Sequence, residues 1–366
     1  MYIHERKEWS EFKWDQANLA SLLAEARHQQ GRLLGRMEAL GFQLREEATL
    51  QTLTQDVVKT SEIEGEKLDT GQVRSSIARR MGMDLGALPP IDRHVEGMVE
   101  VMLDATRQHQ ALLTTERLFN WHAALFPTGR SGMQRLTVGG WRTEKSGAMQ
   151  VVSGPFGREK IHYEAPAHDR LKREMARFLK WFNAPAETDL VIKSALAHFW
   201  FVTVHPFEDG NGRIARAIGD AILAQSEKSA QRFYSMSSQI QRERSAYYNI
   251  LESCQKGTLN ITLWIEWYLN CLKRAIASSE ETLAAVLIKA RFWKAYAGES
   301  FNERQRKVIN RLLDGFEGKL TSSKWAKLTK CSQDTALRDI SDLLNRQILT
   351  RDEAGGRSTS YELHLR

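Results

Sequence analysis

The run His205-Pro206-Phe207-Glu208-Asp209-Gly210-Asn211-Gly212-Arg213-Ile214-Ala215-Arg216 gathers a base, two acids, two glycines and two arginines into a single short stretch. Pro206 disfavours the α region at His205. The apolar helix predicted over Ala195 to Thr203 therefore stops before the histidine, and a new helix starts near Gly212. Gly210 and Gly212 allow close backbone approach, so that unpaired amides and the positive end of the new helix can hold phosphate oxygens. Asn211 adds a neutral donor. Arg213 and Arg216, three apart on one helix face, can reach phosphates beyond the first. Asp209 offers a hard oxygen to Mg²⁺, which prefers one or two carboxylates together with phosphates. His205 is the general base. Together these residues suit a nucleoside triphosphate.

The run resembles the Fic-family signature HPFx(D/E)GNGRxxR and matches it at every specified position. The resemblance implies a mainly α Fic-type helical core with a small β-hairpin flap. It also implies transfer of AMP from ATP to a Tyr, Thr or Ser hydroxyl of a target protein, with release of pyrophosphate. By position, His205 would deprotonate the acceptor and Asp209 would hold Mg²⁺ at the α- and β-phosphates. The loop amides of Gly210 and Gly212, with Asn211, would bind the α-phosphate, and Arg213 and Arg216 the β- and γ-phosphates. Relatives that act as protein kinases carry Lys at the position of Gly212, so Gly212 favours AMP transfer over phosphate transfer.

A second motif, Thr60-Ser61-Glu62-Ile63-Glu64-Gly65, resembles the inhibitory (S/T)xxxE(G/N) motif of many Fic proteins. Glu64 falls in the last turn of a helix predicted from Leu53 to Ile63 and stopped by Gly65. A carboxylate there opposes the helix dipole and needs a cation. The resemblance supplies Arg216 as that cation, with Glu64 blocking productive γ-phosphate binding. Thr60 lies one turn back on the same face and can tie the helix to the nucleotide site. The alternative is a solvated acidic patch of Glu62, Glu64 and Glu66. The same glutamate could also orient water for removal of AMP from a modified protein, and the sequence does not separate these directions.

Between the two motifs, Gly139-Gly140-Trp141-Arg142 opens a Gly-rich, alternating stretch. It runs through Met149 to Gly154 and on to Ile161 through Pro166, and predicts a hairpin. In Fic proteins a hairpin at this place aligns the target's extended segment by strand pairing. From these residues alone an ordinary surface hairpin fits equally well. Downstream, Arg244 to Asn249 resembles the family helix lining the adenine pocket, which points to Tyr248 and Asn249.

These sites need elements to hold them. With 42% hydrophobic residues and only 7 prolines in 366, the chain is expected to be globular and helix-dominated, with room for two or three domains. Residues 1–50 read as an N-terminal extension resembling that of a group of bacterial Fic proteins, with spaced aromatics (Trp9, Phe12, Trp14) and a helical pattern over Gln16 to Glu47. Residues 51–290 read as the Fic core, with the inhibitory helix at about 53–65 and the catalytic loop at 205–216. No apolar run reaches membrane-span length, and the first residues lack a signal-peptide core. Cys254, Cys271 and Cys331 form no zinc or disulfide spacing, and the expected location is cytoplasmic.

Residues 301–366 resemble a winged helix-turn-helix, with helices over Glu303–Leu313, Ser322–Leu328 and Ser332–Asn345 and a wing around Gly355-Gly356-Arg357-Ser358. They hold 13 Lys and Arg against 9 Asp and Glu, so +4 of the chain's +7 lies here. DNA contact would fall on Gln333, Thr335, Arg338 and Arg357. Dimerisation or protein docking is the alternative for such a module. Three functions compete: a Fic-type protein adenylyltransferase inhibited by Glu64, a deAMPylase using the same site, and a DNA-binding regulator acting through the tail. Implied partners are ATP, Mg²⁺ and a target protein, with DNA and a homodimer as further candidates and no membrane.

Overall fold

A computed structural model describes the chain except for residues 84–90, 155–157, 159, 314, 317, 353–358 and 365–366. The molecule is mainly helical with three two-stranded antiparallel hairpins among the described residues. It divides into two compact units, Met1–Gly41 with Thr49–Ser279, and Phe42–Ala48 with Glu280–Arg366.

In the first unit, α1 (Gln16–Glu38) precedes the part of α2 (Phe42–Ile63) from Thr49 onward, then α3 (Thr70–Met81), α4 (Arg93–Arg107) and α5 (Thr115–Leu125). The hairpins β1–β2 (Arg130–Ser131, Gln134–Arg135) and β3–β4 (Gln150–Ser153, Lys160–Glu164) follow, then α6 (Leu171–Asn183), α7 (Leu190–Val204), α8 (Asn211–Glu227), α9 (Met236–Arg242), α10 (Arg244–Gln255) and the start of α11 (Thr262–Ala295). Helix α7 is apolar on all sides, and every residue from Val191 to Val204 is buried, as expected of a helix at the centre of a unit. It packs on α8, which also meets α4. Gly97 of α4 lies so close to α5 that a Cβ there would collide with the carbonyl oxygen of Ala124. That close crossing sets Leu125 and Phe126 against the loop that follows α7.

The helical pattern expected over Gln16 to Glu47 is two helices. Gly41, extended at φ −62° and ψ 156°, caps α2 and separates it from α1. The helix expected from Leu53 thus begins at Phe42, because neither Gly nor Pro occurs between 42 and 63 to start or break it. Two of the spaced N-terminal aromatics, Trp9 and Phe12, pack against α7. Trp9 packs edge-on to Trp200 and donates to Glu174 (2.9 Å), while Phe12 meets Phe199 and Trp200.

In the second unit, α12 (Glu303–Leu313), α13 (Ser322–Thr329) and α14 (Gln333–Asn345) are followed by β5 (Leu349–Arg351) paired with β6 (Tyr361–Leu363). Val308, Ile309, Trp325, Ile340, Leu343 and Ile348 form its core. No helix among the described residues is long and apolar enough to cross a membrane.

Candidate active site

Helix α7 ends at Val204, and His205 takes the left-handed conformation, φ 50°. A non-glycine residue there costs on the order of 1 kcal/mol, so its surroundings must hold it. The His205 N–H donates to Phe201 O (3.0 Å), and Arg142 donates from Nε to His205 O (2.8 Å) and from its backbone N–H to Pro206 O (3.0 Å). Arg142 is buried, which pulls its pKa down to about 10, and it also donates to Pro166 O. The ring orientation is fixed as well. His205 Nδ1 lies 3.1 Å from Val202 O, and a carbonyl can only accept, so Nδ1 carries the proton and Nε2 keeps its lone pair. Burial lowers the His205 pKa, with Arg142 acting in the same sense, while the Val202 bond, Glu64 and Asp209 act against it.

Past Pro206 the loop is clamped from both sides. Phe207 is fully buried and stacks on His122 at 4.2 Å. Asn211 accepts from Phe207 N–H (2.9 Å) and donates back to Phe207 O (2.8 Å). Sequence reasoning counted Asn211 among the phosphate donors. In the structure the buried carboxamide is turned inward onto Phe207 and shapes the loop. Gly210 is required twice: φ is +81°, and a Cβ would stand 2.9 Å from the Phe126 ring. Gly210, the N-cap of α8, has no side chain to cap the first turn, which leaves that N-terminal end suited to an anion.

A carboxylate lies at that end. Glu64, the residue after α2, sits so close to Gly212 that a Cβ there would collide with its Oε1. The same oxygen accepts from Arg216 Nη2 at 2.6 Å, and Arg216 also donates to Thr60 Oγ1 (2.7 Å) and Thr60 O (3.0 Å). Burial works against the Arg216 charge, but Glu64, Tyr247 and Tyr248 outweigh it and raise its pKa. Thr60, Glu64, Gly212 and Arg216 are thus one cluster. Arg213 is held in the same way by a residue the sequence reading left in the acidic patch: Nη1 donates to Glu66 Oε2 at 2.6 Å, with the guanidinium over the Phe126 ring. Gly65, at φ +84°, reverses the chain between the two glutamates.

Asp209 is half-buried. Its Oδ2 accepts from Ser131 Oγ (2.5 Å) and its Oδ1 from Gly210 N–H (2.5 Å), while neighbouring Glu208 accepts from Thr137. No group of three or more His, Cys, Asp and Glu side chains placed for a metal occurs among the described residues. A single carboxylate beside an anion site fits Mg²⁺, whose other ligands are phosphates and water.

Tyr248 reaches Ile63 O (3.5 Å) and lies under Arg244, whereas Asn249 is exposed. In the second unit, Gln333 donates to Ser322 and Ser323, Thr335 bonds Ser332, and Arg338 is exposed between Asp334 and Asp342 on α14. Arg357 lies outside the described residues. Arg142, Ser131 and Glu66 were not assigned from the sequence. Only Glu66 carried a signal, its place two residues beyond Glu64.

Residues 112–223 match the Fic/DOC family, and residues 2–83 match a domain of unknown function, DUF4172. Among curated proteins, the chain is 25% identical over 231 residues to "Protein adenylyltransferase Fic" of Drosophila ananassae, covering 61% of this chain and 40% of that protein. The match to the Drosophila melanogaster protein of the same name is 25% over 223 residues, 58% of this chain and 39% of that one. The chain thus spans about two fifths of the length of these relatives. Its fold is shared with a Fic family protein from Desulfovibrio desulfuricans (TM-score 0.54, 20% identity, 94% of this chain and 95% of that one). It is shared also with a Fic domain containing signaling protein from Bacteroides thetaiotaomicron (TM-score 0.50, 18% identity, 78% and 100%).

Proposed function

We propose, for a chain that carries a Fic/DOC-family domain over residues 112–223, that it is a protein adenylyltransferase held inactive by its own Glu64. The carrying observation is the Glu64 carboxylate on Arg216 at the open N-terminus of α8, where an anion is best stabilised. Glu64 stands in for a phosphate group. When it withdraws, Arg216 is available to the β- and γ-phosphates of ATP and the first-turn amides to the α-phosphate, and Arg213 joins Arg216 once Glu66 also releases it. Asp209 would hold Mg²⁺, which neutralises phosphate charge when bound.

In the transfer, the acceptor hydroxyl of a Tyr, Thr or Ser attacks the α-phosphorus and its proton passes to His205 Nε2. The α–β anhydride bond breaks and pyrophosphate leaves. The Nδ1–H bond to Val202 O presents the lone pair of Nε2, and the lowered pKa keeps the ring neutral and ready to accept. Asn211 and Arg142 act by fixing the loop. The β3–β4 hairpin offers an edge on which an extended acceptor segment can pair.

The test is incubation of wild type, Glu64→Gly and Glu64→Gly/His205→Ala with Mg²⁺, α-labelled ATP and a cell lysate, followed by intact mass of labelled bands. An AMP-sized addition with Glu64→Gly alone is expected. Equal labelling by the His205→Ala form removes the histidine from the mechanism, and no labelling by Glu64→Gly removes the transferase reading.

A further inference from the structure

The base of the β3–β4 hairpin is firmly held. Tyr163 is buried and donates to Thr203 O (2.8 Å), two residues before His205, and Ala165 N–H donates to Met149 O (2.8 Å). The outer half is different. Val152 and Ile161 face each other across the strands and are 47% and 44% exposed, and a lone two-stranded hairpin is marginal in water. The register breaks here: Val151 pairs with Tyr163 and Val152 with Ile161, so His162 is the extra residue of a bulge in β4. Bulges re-aim side chains and recur beside active sites. The His162 ring spans two elements, with Nε2 2.6 Å from Ser153 Oγ on β3 and Nδ1 2.5 Å from Glu252 Oε2 on α10.

The far partner is fixed in its turn. Lys256 donates to Glu252 Oε1 (2.6 Å), and the bonds from Lys256 and His162 hold the Glu252 pKa down at about 2. Helix α10 carries Tyr248 one turn before Glu252, and its first residue, Arg244, donates to Ile63 O (2.8 Å), next to Glu64. An exposed ion pair would contribute little, but the His162 and Glu252 side chains are only 25% and 23% exposed and are oriented by further bonds.

We propose that His162 is a positioning residue for the acceptor: it locks the outer hairpin onto α10, so that a strand added to the hairpin meets His205 and the nucleotide in one register. This rests on reading the hairpin as the acceptor's docking edge. The lock itself is a local feature that can be measured without any transfer.

The experiment compares Glu64→Gly with the same chain also carrying His162→Ala, Glu252→Ala, both, or His162→Asn. Amide exchange is followed by mass spectrometry over 150–153 and 160–164, and AMP transfer is measured against graded whole-lysate protein as acceptor. Each alanine variant should speed hairpin exchange and raise the half-saturating lysate concentration about tenfold, the scale of one charge-assisted hydrogen bond. The KM for ATP should stay within about twofold, the double variant should be no worse than either single, and His162→Asn, which keeps a donor, should recover most of the loss. Unchanged exchange in His162→Ala, or single effects that multiply in the double, overturns the proposal. Faster exchange with an unchanged lysate dependence overturns the positioning role. If Glu64→Gly transfers no AMP, the transferase reading and the acceptor role fail together, while the exchange data still decide whether the lock exists.

Discussion

Replacing Glu64 with glycine should tighten ATP binding, and the geometry bounds by how much. Glu64 Oε1 lies 2.6 Å from Arg216 Nη2, with the arginine side chain 1% exposed and the glutamate 29%. Charge centres about 4 Å apart attract by about 4 kcal/mol at an effective dielectric of 20. Much of that is offset, because a withdrawn glutamate regains water and rotamer freedom, and because its carboxylate opposes the dipole of α2 where it now sits. A net of about 1.5–3 kcal/mol remains, typical of a hydrogen bond between charged groups. A triphosphate that displaces Glu64 bears that cost, so its removal should lower the Kd about 10- to 100-fold. The assay is calorimetric titration of wild type, Glu64→Gln and Glu64→Gly with an ATP analogue carrying a methylene between the α and β phosphorus, in Mg²⁺. Glutamine keeps a hydrogen bond but no charge and should fall between the other two. Without nucleotide, Glu64→Gly should melt below wild type, since Arg216 loses its counter-charge, and saturating analogue should more than restore it. Equal Kd values for wild type and Glu64→Gly would refute the view that Glu64 competes with a phosphate for Arg216.

Three other outcomes are expected. Glu66→Ala added to Glu64→Gly should tighten the analogue by a further factor of about 3 to 10, because it frees Arg213, and the gain is smaller because Glu66 is more exposed; no gain in the same titration would mean that Arg213 does not meet phosphate. The acid limb of AMP transfer by Glu64→Gly should lie below pH 6.5, since burial lowers the His205 pKa and the neutral base persists to lower pH; a half-maximal rate above 6.5 in the pH–rate profile would contradict this. Gly97→Ala should destabilise the chain by about 3 kcal/mol, since the new Cβ meets the backbone of α5 rather than a side chain that can yield; urea unfolding with an unchanged midpoint would show that the α4–α5 crossing adjusts freely.

What the sequence revealed, and what it hid, follows from the range of the forces involved. His205, Asp209, Gly210, Gly212, Arg213 and Arg216 were legible because a proline, two glycines and a helical repeat fix their arrangement within twelve residues. Thr60 was legible as the residue one turn before Glu64, and the structure has both on Arg216. Glu66 was not, since Gly65 at φ +84° ends the helical repeat, and no local rule says where the chain points after a left-handed glycine. Arg142 was hidden by its distance from the carbonyls of His205 and Pro206, a pairing that only the packed chain creates. The inward turn of Asn211 was not legible, for a subtler reason. A carboxamide beside two glycines can donate to a ligand or fold back on its own loop, and the choice depends on Phe207 being held in place by the ring of His122. That dependence is itself physical. A phosphate site made of backbone amides needs its loop rigid before the ligand arrives, so a side chain of the signature that holds the loop serves such a site as much as one placed to meet phosphate.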